Sequence, residues 1–557
     1  MPGSLMANER HDSGNRTAGS RGRTRLRVWW LVAGLFVMAF LARGPLYLSV
    51  FPPFEGWDEY QHLAYIVHLD ETGALPLYES RVSLALRPLV VAMPHSPSGA
   101  EQVREWGALS YADYWNAPVQ AASLNRPASS PRLYQSQHPP LFYVLALPIW
   151  RALDPLAAIS AIRTINLLLV AAALVLFAGA LERLVPAFAP RVAVFAMVCL
   201  HPLFFQNVAR VANDALAVAT GLAGISLLVL ADGRTLLTRG VLAAVCIAAS
   251  VWSKQTSLTL IPALVLGLPL IGWAHGVSAG RVWRAASIAC GAFLLLVAPL
   301  WLWTYQHYGV FLSTQDSVEL AARGSVIAAL ATSFTHMAWG PVIDTLFVPG
   351  RAWVGGWSFL PMHETLANLY KWYWSILVAA AGVGAVVAML RVALRRARSY
   401  ERAASDRGSD RGAAAGLGVC AIVVIFTALG MTYHAILSHA VFGRSMTNSW
   451  YFMTAQPCLF VLVVCGLEAT NRRLATAAAA ALAVLFVAID LHGTWVQMPK
   501  FYASTTDATL QWSRLTMIHP AFLSGDLRWL FLAVQLGALG LVVGGLVHAS
   551  RHRAYAS

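Results

Sequence analysis

Long apolar runs separated by short polar turns are the dominant pattern of this chain. Runs of 17 to 25 residues recur along its whole length. A helix that crosses a bilayer needs about 20 such residues, and the runs are continuous rather than alternating, unlike the strands of a membrane barrel. The pattern predicts an all-α polytopic membrane protein with about twelve transmembrane helices, near 28–50, 157–181, 191–209, 213–231, 239–253, 256–273, 284–306, 370–390, 415–436, 451–468, 473–490 and 527–548.

The segment 139–153, PPLFYVLALPIWRAL, is apolar but does not fit this scheme. It is only about 15 residues long, contains Pro148, and if counted as a span would reverse the side on which every later loop lies. We therefore interpret it as a juxtamembrane or re-entrant helix that belongs to the first outer loop.

The distribution of charge sets the orientation. Of the 557 residues, 58% are hydrophobic and 12% charged, and the net charge is +14. Seven arginines lie within 391–413 and six within the first 27 residues, whereas the loop 52–138 has five arginines against nine acids. This asymmetry follows the positive-inside rule rather than the footprint of a nucleic-acid-binding protein. We expect a multi-pass protein of the bacterial inner (cytoplasmic) membrane, with both termini cytoplasmic and no nucleic-acid partner.

The loops divide the chain into regions. We predict a disordered cytoplasmic tail at 1–27, because it is polar and rich in Ser, Gly and Arg. A transmembrane module follows at 28–310 and includes the first outer loop, 52–156. A second outer loop occupies 311–369, and a C-terminal transmembrane module occupies 370–557. The tryptophans Trp339, Trp353 and Trp357 of the second loop are typical of a membrane-interface belt.

Four polar clusters converge on the outer face under this topology. If the stretch after Asp58 is helical, His62 shares a face with the acidic pair, because residues three or four apart are neighbours on a helix. Ionisable groups near the hydrocarbon cost about 2.5–3.5 kcal/mol each and usually line a cavity or pair with one another. The clusters are Asp58-Glu59 with His62, Gln137-His138, Arg210 with Asn213 and Asp214, and Lys254-Gln255.

This set combines carboxylates with cations. The carboxylates of Asp58, Glu59 and Asp214 could act as a general base toward a hydroxyl, or could coordinate a divalent cation through their oxygens. Arg210 and Lys254 suit a phosphate, whose charge they can neutralise as it leaves. For Lys254 and Arg210 the alternative is that each extends to lipid headgroups. The sequence contains no Walker loop, no GxGxxG motif opening a helix after a strand, and no HExxH motif, so nucleotide-driven transport and zinc proteolysis lack support.

The four polar clusters, in their order along the chain, resemble motifs of the GT-C superfamily of membrane glycosyltransferases. This superfamily includes the protein O-mannosyltransferases and the lipid A aminoarabinose transferases. The resemblance covers roughly residues 28–310. It also extends to a bacterial branch of uncharacterised multispanning proteins through two later segments, WVGGWSFLP and SWYFMTAQP. In related branches an Arg often precedes the Tyr of the second segment, but here Trp450 stands there and Arg444 is the nearest cation. The pieces that carry the main resemblance are WDEYQH, HPPLFY, RVANDA and SKQT.

The resemblance implies transfer of a sugar, with inversion, from a polyprenyl-phosphate donor on the outer face. By position, Asp58 would be the base, Glu59 its neighbour and Asp214 the second acid. The substrate-binding set would comprise His62, His138, Arg210, Lys254 and Gln255, with Lys254 and Arg210 at the donor phosphate. The partners would be the lipid-linked donor, membrane lipids and an envelope glycan, lipid or protein as acceptor. No cofactor is certain, and a divalent cation such as Mg²⁺ or Mn²⁺ at Asp58 and Asp214 is left open.

Two other hypotheses compete with a glycosyltransferase. A transporter or flippase of a lipid-linked glycan would place polar residues along a path through the midplane and show repeats with broken helices. A non-catalytic scaffold for envelope assembly would tolerate single replacements of the acidic residues.

Overall fold

A computed structural model describes residues 9–116, 127–311, 314–322, 326–347, 353–356, 358–361, 364–398, 407–445, 448–519 and 525–554. Helices account for nearly all of the regular structure in these residues. The strands are two-residue pieces, β1 (Pro94–His95) pairing in parallel with β2 (Leu109–Ser110), and β3 (Trp353–Val354) pairing antiparallel with β4 (Leu360–Pro361). Trp357 lies outside the described residues.

The helices are numbered in chain order. Those of the first half are α1 (Glu9–Leu48), α2 (Glu59–Thr72), α3 (Arg87–Val91), α4 (Pro97–Gln102), α5 (Tyr111–Asn116), α6 (Leu141–Ala152), α7 (Pro155–Leu184), α8 (Phe188–Leu200), α9 (Pro202–Val208), α10 (Asp214–Leu230), α11 (Leu236–Ser253), α12 (Leu268–Ala274) and α13 (Ala279–Tyr308). Those of the second half are α14 (Gln315–Ala322), α15 (Val326–His336), α16 (Trp339–Phe347), α17 (Glu364–Arg398), α18 (Arg407–Phe442), α19 (Gln456–Thr470), α20 (Arg472–His492), α21 (Met498–Tyr502), α22 (Ala508–Ile518) and α23 (Gly525–Ala554).

The prediction of an all-α chain with many apolar helices is confirmed, but the count of twelve spans is not. Among the described residues, eight helices are long and apolar enough to cross a membrane, and the bent pair α8–α9 would make nine. The other predicted spans fall on α10, α19 and α23, whose apolar parts are shorter. The pair α8–α9 bends by 48° at Pro202, because proline donates no backbone N–H and disfavours the helical conformation of the residue before it. Helix α1 begins at Glu9, so it continues into the segment expected to be a disordered tail.

Segment 139–153 forms the short helix α6. Its twelve residues extend about 18 Å, well below the roughly 30 Å of a hydrocarbon core. It packs along α2, and Arg151 near its end pairs with Asp70 near the end of α2 at 2.7 Å. The two helices therefore form one layer against the bundle, beside the acidic motif.

The two transmembrane modules pack on each other. Helix α1 contacts α7 and α8 of its own module and α23 of the other, and α20 lies against α8. The contact is also ionic, since Arg43 of α1 and Asp490 of α20 form a buried pair at 2.6 Å. Residues almost 450 positions apart thus join the two modules into one helical bundle. The second loop packs on α18 through its helices α14, α15 and α16.

Candidate active site

The acidic motif forms a sharp turn between α1 and α2. Asp58 precedes the first residue of α2 and has a backbone φ of 58°, in the left-handed region. Few residues other than glycine adopt this conformation, and such local strain is concentrated at functional sites. Gly56 makes the turn possible, because a Cβ there would lie 2.9 Å from Cβ of Arg210. The motif is therefore pressed directly against the start of the RVANDA segment.

Asp58 is the half-buried carboxylate of the turn. The hydroxyl of Tyr134, from the first loop, donates a hydrogen bond of 2.5 Å to its Oδ1. Burial raises the pKa of Asp58 above its usual value, while the Tyr134 hydrogen bond and the nearby charges of Arg210 and Lys254 oppose that rise. The side chain is thus a base of increased strength, and part of its surface remains exposed.

Glu59 faces the interior instead. Its side chain is completely buried and forms a two-pronged pair with Arg163 of α7, at 2.8 Å and 2.5 Å. It also accepts the backbone N–H of Val211 at 2.7 Å. Arg163 in turn donates to the carbonyls of Phe51 and Pro52. Both carboxylate oxygens of Glu59 are thus committed to holding the motif on the bundle, which indicates a positioning role.

Asp214 lies between the two predicted cations. Its Oδ1 is 2.5 Å from Nζ of Lys254, and its Oδ2 is 2.7 Å from the guanidinium of Arg210. All three side chains are buried. Arg210 also donates to the carbonyl of Trp57 and to the backbone and side chain of Asn207. The triad has a net charge of +1, and the ammonium of Lys254 has three N–H donors, of which Asp214 takes one among the described contacts.

Local structure explains how these residues meet. Asp214 begins α10, where a negative charge is favourable to the helix dipole. Asn213 donates from its side chain to the carbonyl of Ser253 at 2.9 Å. That contact fixes the turn after α11, in which Lys254 is extended and its N–H bonds to Ser250. The short spacing of RVANDA and the tight SKQT turn thus place charges from two hairpins at one point.

The histidines form the neighbouring wall. His62, on the first turns of α2, shares a 2.8 Å hydrogen bond with the Tyr143 hydroxyl of α6, and its ring lies 6.2 Å from that of His138. Burial lowers the pKa of His62 well below its usual value, and burial together with the charge of Lys254 lowers that of His138 to about 3. Both imidazoles are therefore neutral hydrogen-bonding groups at neutral pH. Gln255 is buried at the Lys254 turn.

The structure thus brings Asp58, His62 and His138 within reach of the charge of Lys254, which shares Asp214 with Arg210. The sequence analysis assigned no site role to four neighbours. Arg163 could have been noticed as a charge inside the apolar run of α7. Nothing in the local sequence marks Tyr134. Tyr451, whose ring lies 5.2 Å from Nζ of Lys254, and Trp450, which stacks on Trp57 at 4.7 Å, belong to the SWYFMTAQP segment.

The residues present do not fit the divalent cation left open by the sequence. Both oxygens of Asp214 are paired with cations, which leaves them little to offer a metal. Within the described residues, no group of three His, Cys, Asp or Glu side chains has the arrangement of a metal site. We derive no step through a metal at Asp58 and Asp214.

No protein-family model and no curated protein matches the sequence.

Proposed function

We propose that the protein transfers a sugar from a polyprenyl-phosphate donor to a hydroxyl of an envelope acceptor. The observation that carries the proposal is a half-buried carboxylate, Asp58, set beside the buried triad of Arg210, Asp214 and Lys254. The carboxylate can take the proton of an acceptor hydroxyl. The triad carries the net positive charge that stabilises a leaving phosphate. The resemblance of the motifs to GT-C glycosyltransferases supports the same reaction class.

The donor would enter from the lipid, since its polyprenyl chain is soluble there. Its phosphate would lie against the ammonium of Lys254, whose remaining N–H groups can donate to phosphate oxygens. Arg210 is already held by Trp57, Asn207 and Asp214. It would contribute mainly through its charge, while neutral His138, half-buried at the edge, would donate a hydrogen bond without adding charge.

The reaction is a single displacement. Asp58 accepts the proton of the acceptor hydroxyl, and the oxygen forms a bond to the anomeric carbon. The bond from that carbon to the phosphate oxygen breaks, and its electron pair stays on the phosphate. The products are the glycosylated acceptor, with inverted configuration, and polyprenyl phosphate.

The replacement Asp58→Asn tests the role of the base. We expect transfer of radiolabelled sugar from a polyprenyl-phosphate donor pool to envelope acceptors to fall by at least a hundredfold, because general-base catalysis contributes about 10²–10⁴. Membranes containing Asp70→Asn are the matched control. Asp70 lies on the same helix, and its pair with Arg151 is exposed, so this variant should transfer normally. An arm with EDTA should leave the wild-type rate unchanged.

Equal labelling by wild type and Asp58→Asn would contradict the assignment of the base. Unchanged labelling in a deletion strain would contradict the activity itself. Movement of the donor across the membrane with no covalent product would favour the transporter hypothesis.

A further inference from the structure

Phe359, in the second loop, adopts an unusual conformation. Its backbone φ is 44°, and 39% of its surface is exposed. A bulky residue in the left-handed region is a real outlier, which persists only when its surroundings impose it. Such a ring keeps a sizeable apolar surface open to a ligand.

Glu55 of the acidic motif imposes this conformation. Its buried carboxylate accepts the backbone N–H of Ser358 at 2.6 Å and the hydroxyl of Tyr111 at 2.8 Å. Burial raises its pKa to about 7 even though both hydrogen bonds oppose the rise. Gly356 is needed for the contact, because a Cβ there would overlap the carbonyl oxygen of Glu55 at 1.8 Å. The turn that carries Phe359 is thus held on the residues that lead to Asp58.

The ring of Phe359 continues a row of aromatic rings. It lies 6.2 Å from the ring of Trp57, which stacks on Trp450 at 4.7 Å and 15°. Trp57 is buried, so Phe359 and Trp450 provide the accessible surface. The row borders the cations, since the guanidinium of Arg210 lies 5.1 Å from the ring of Trp57.

This combination matches one class of ligand. The face of an aromatic ring is electron-rich and attracts the weakly positive C–H groups on the face of a sugar ring. The neighbouring cations attract phosphate. A sugar phosphate presents both groups about one bond apart, whereas a polyprenyl phosphate without sugar presents only the second.

Resting on the proposed function, we propose that Phe359 and Trp450 form the surface that binds the sugar ring of the donor, and that Glu55 is the positioning residue that holds Phe359 in place. The second loop then determines which sugar is accepted, while the triad of Arg210, Asp214 and Lys254 binds the phosphate whatever sugar it carries.

The experiment compares two probes on the purified full chain in lipid nanodiscs. One is undecaprenyl phosphate, and the other is undecaprenyl phosphate carrying mannose, galactose, glucose or arabinose. We expect wild type to bind at least one sugar-bearing lipid more tightly than the sugarless one. Phe359→Leu should lose that preference by about tenfold, the upper range of an aromatic contact, with unchanged affinity for undecaprenyl phosphate. Phe359→Tyr should retain the preference.

Phe334→Leu is the matched control, because Phe334 is also an exposed phenylalanine of the second loop and contacts its own partner, Trp339. Glu55→Ala removes both acceptor oxygens, and should cause the same selective loss as Phe359→Leu. The double variant should lose no more than either single one, since both act through the same contact. Phe359→Leu changes a surface side chain, so it keeps the test valid even if Glu55→Ala folds poorly.

Three outcomes overturn the proposal. If wild type prefers a sugar-bearing lipid and Phe359→Leu keeps that preference, the sugar surface is wrong and the proposed function stands. If Phe359→Leu weakens both probes equally, the ring contacts lipid rather than sugar. If wild type shows no preference for any of the four sugars, the sugar surface fails, while the transfer assay decides the proposed function separately.

Discussion

Asp58 and Glu59 are adjacent in the chain but lie in opposite environments. The left-handed backbone at Asp58 turns its side chain toward the loop surface, where Tyr134 contacts it. Glu59 begins the helix and points into the bundle, where Arg163 and two backbone N–H groups surround it. A single peptide unit thus separates the proposed base from the group that anchors it.

Glu59→Gln should destabilise the protein strongly. It leaves the guanidinium of Arg163 buried without a counter-charge, and breaking a buried pair in this way costs about 3–5 kcal/mol. The thermal melting temperature of the detergent-solubilised protein should fall by many degrees. The control is Glu101→Gln, whose pair with Arg104 is exposed on both sides and should change the melting temperature little. A normal melting temperature for Glu59→Gln would show that Arg163 does not depend on this pair.

Tyr134→Phe should move the acid limb of the pH–rate profile to higher pH. The Tyr134 hydroxyl stabilises the carboxylate of Asp58 and so lowers its pKa. Without it the pKa rises, and Asp58 becomes protonated, and therefore inactive, at a higher pH. The measurement is kcat/KM against pH, with Tyr114→Phe as the control, because the Tyr114 hydroxyl donates to the carbonyl of Ala92 instead. An unshifted limb would mean that another group controls the profile.

At the scale of elements, the layer formed by α2 and α6 determines how the first loop meets the bundle. His62 and Tyr143 join the helices near their beginnings, and Asp70 and Arg151 join them near their ends. The two helices therefore run side by side in the same direction. Their pairing places Tyr134 and His138 beside the acidic motif.

Leu153, which follows α6 and is 43% exposed, should lie on the same side of the membrane as Asp58. In a variant without the six native cysteines, Leu153→Cys should react with a membrane-impermeant maleimide applied from outside. Arg234→Cys, on the exposed turn before α11, is expected on the opposite side and should react only after permeabilisation. Labelling of Leu153→Cys only after permeabilisation would mean that 139–153 crosses the membrane.

At the scale of the whole molecule, the candidate site needs both modules. The acidic motif, the triad and the histidines come from the first half of the chain. Trp450 and Tyr451 come from the second half and contact Trp57 and Lys254. The buried pair of Arg43 and Asp490 fixes the same two halves to each other elsewhere in the bundle. We therefore expect the site to form only in the intact chain.

Both termini should lie in the cytoplasm if the number of spans is even. The arginine-rich ends resist translocation, because positive charge near a span is retained on the inner side. Alkaline phosphatase fused at either terminus should be inactive, whereas an insertion of the enzyme within 127–131 of the first loop should be active. Activity at the C-terminus alone would mean an odd number of spans.

The sequence by itself determined the class of the protein and the residues worth examining. Continuous apolar runs can satisfy their backbone hydrogen bonds in lipid only as helices, so the all-α fold followed from local pattern alone. Polar residues are costly in such runs, so most of the site residues stood out, although Arg163 did not. The length of 139–153 was enough to predict a short separate helix. Span number was harder to predict, because α10 and α19 are shorter than the runs of sequence that contain them.

Only the tertiary structure shows which side chains of the candidate site contact one another. The sequence pattern could not show that Asp58 is partly exposed while Glu59 is buried. That contrast depends on the backbone angle of Asp58 and on Arg163, about a hundred residues away. The pattern could not show that both oxygens of Asp214 are paired with cations, nor that Tyr134, Glu55 and Phe359 meet at the motif. Such contacts depend on packing between distant segments, which the periodicity of a single helix does not encode.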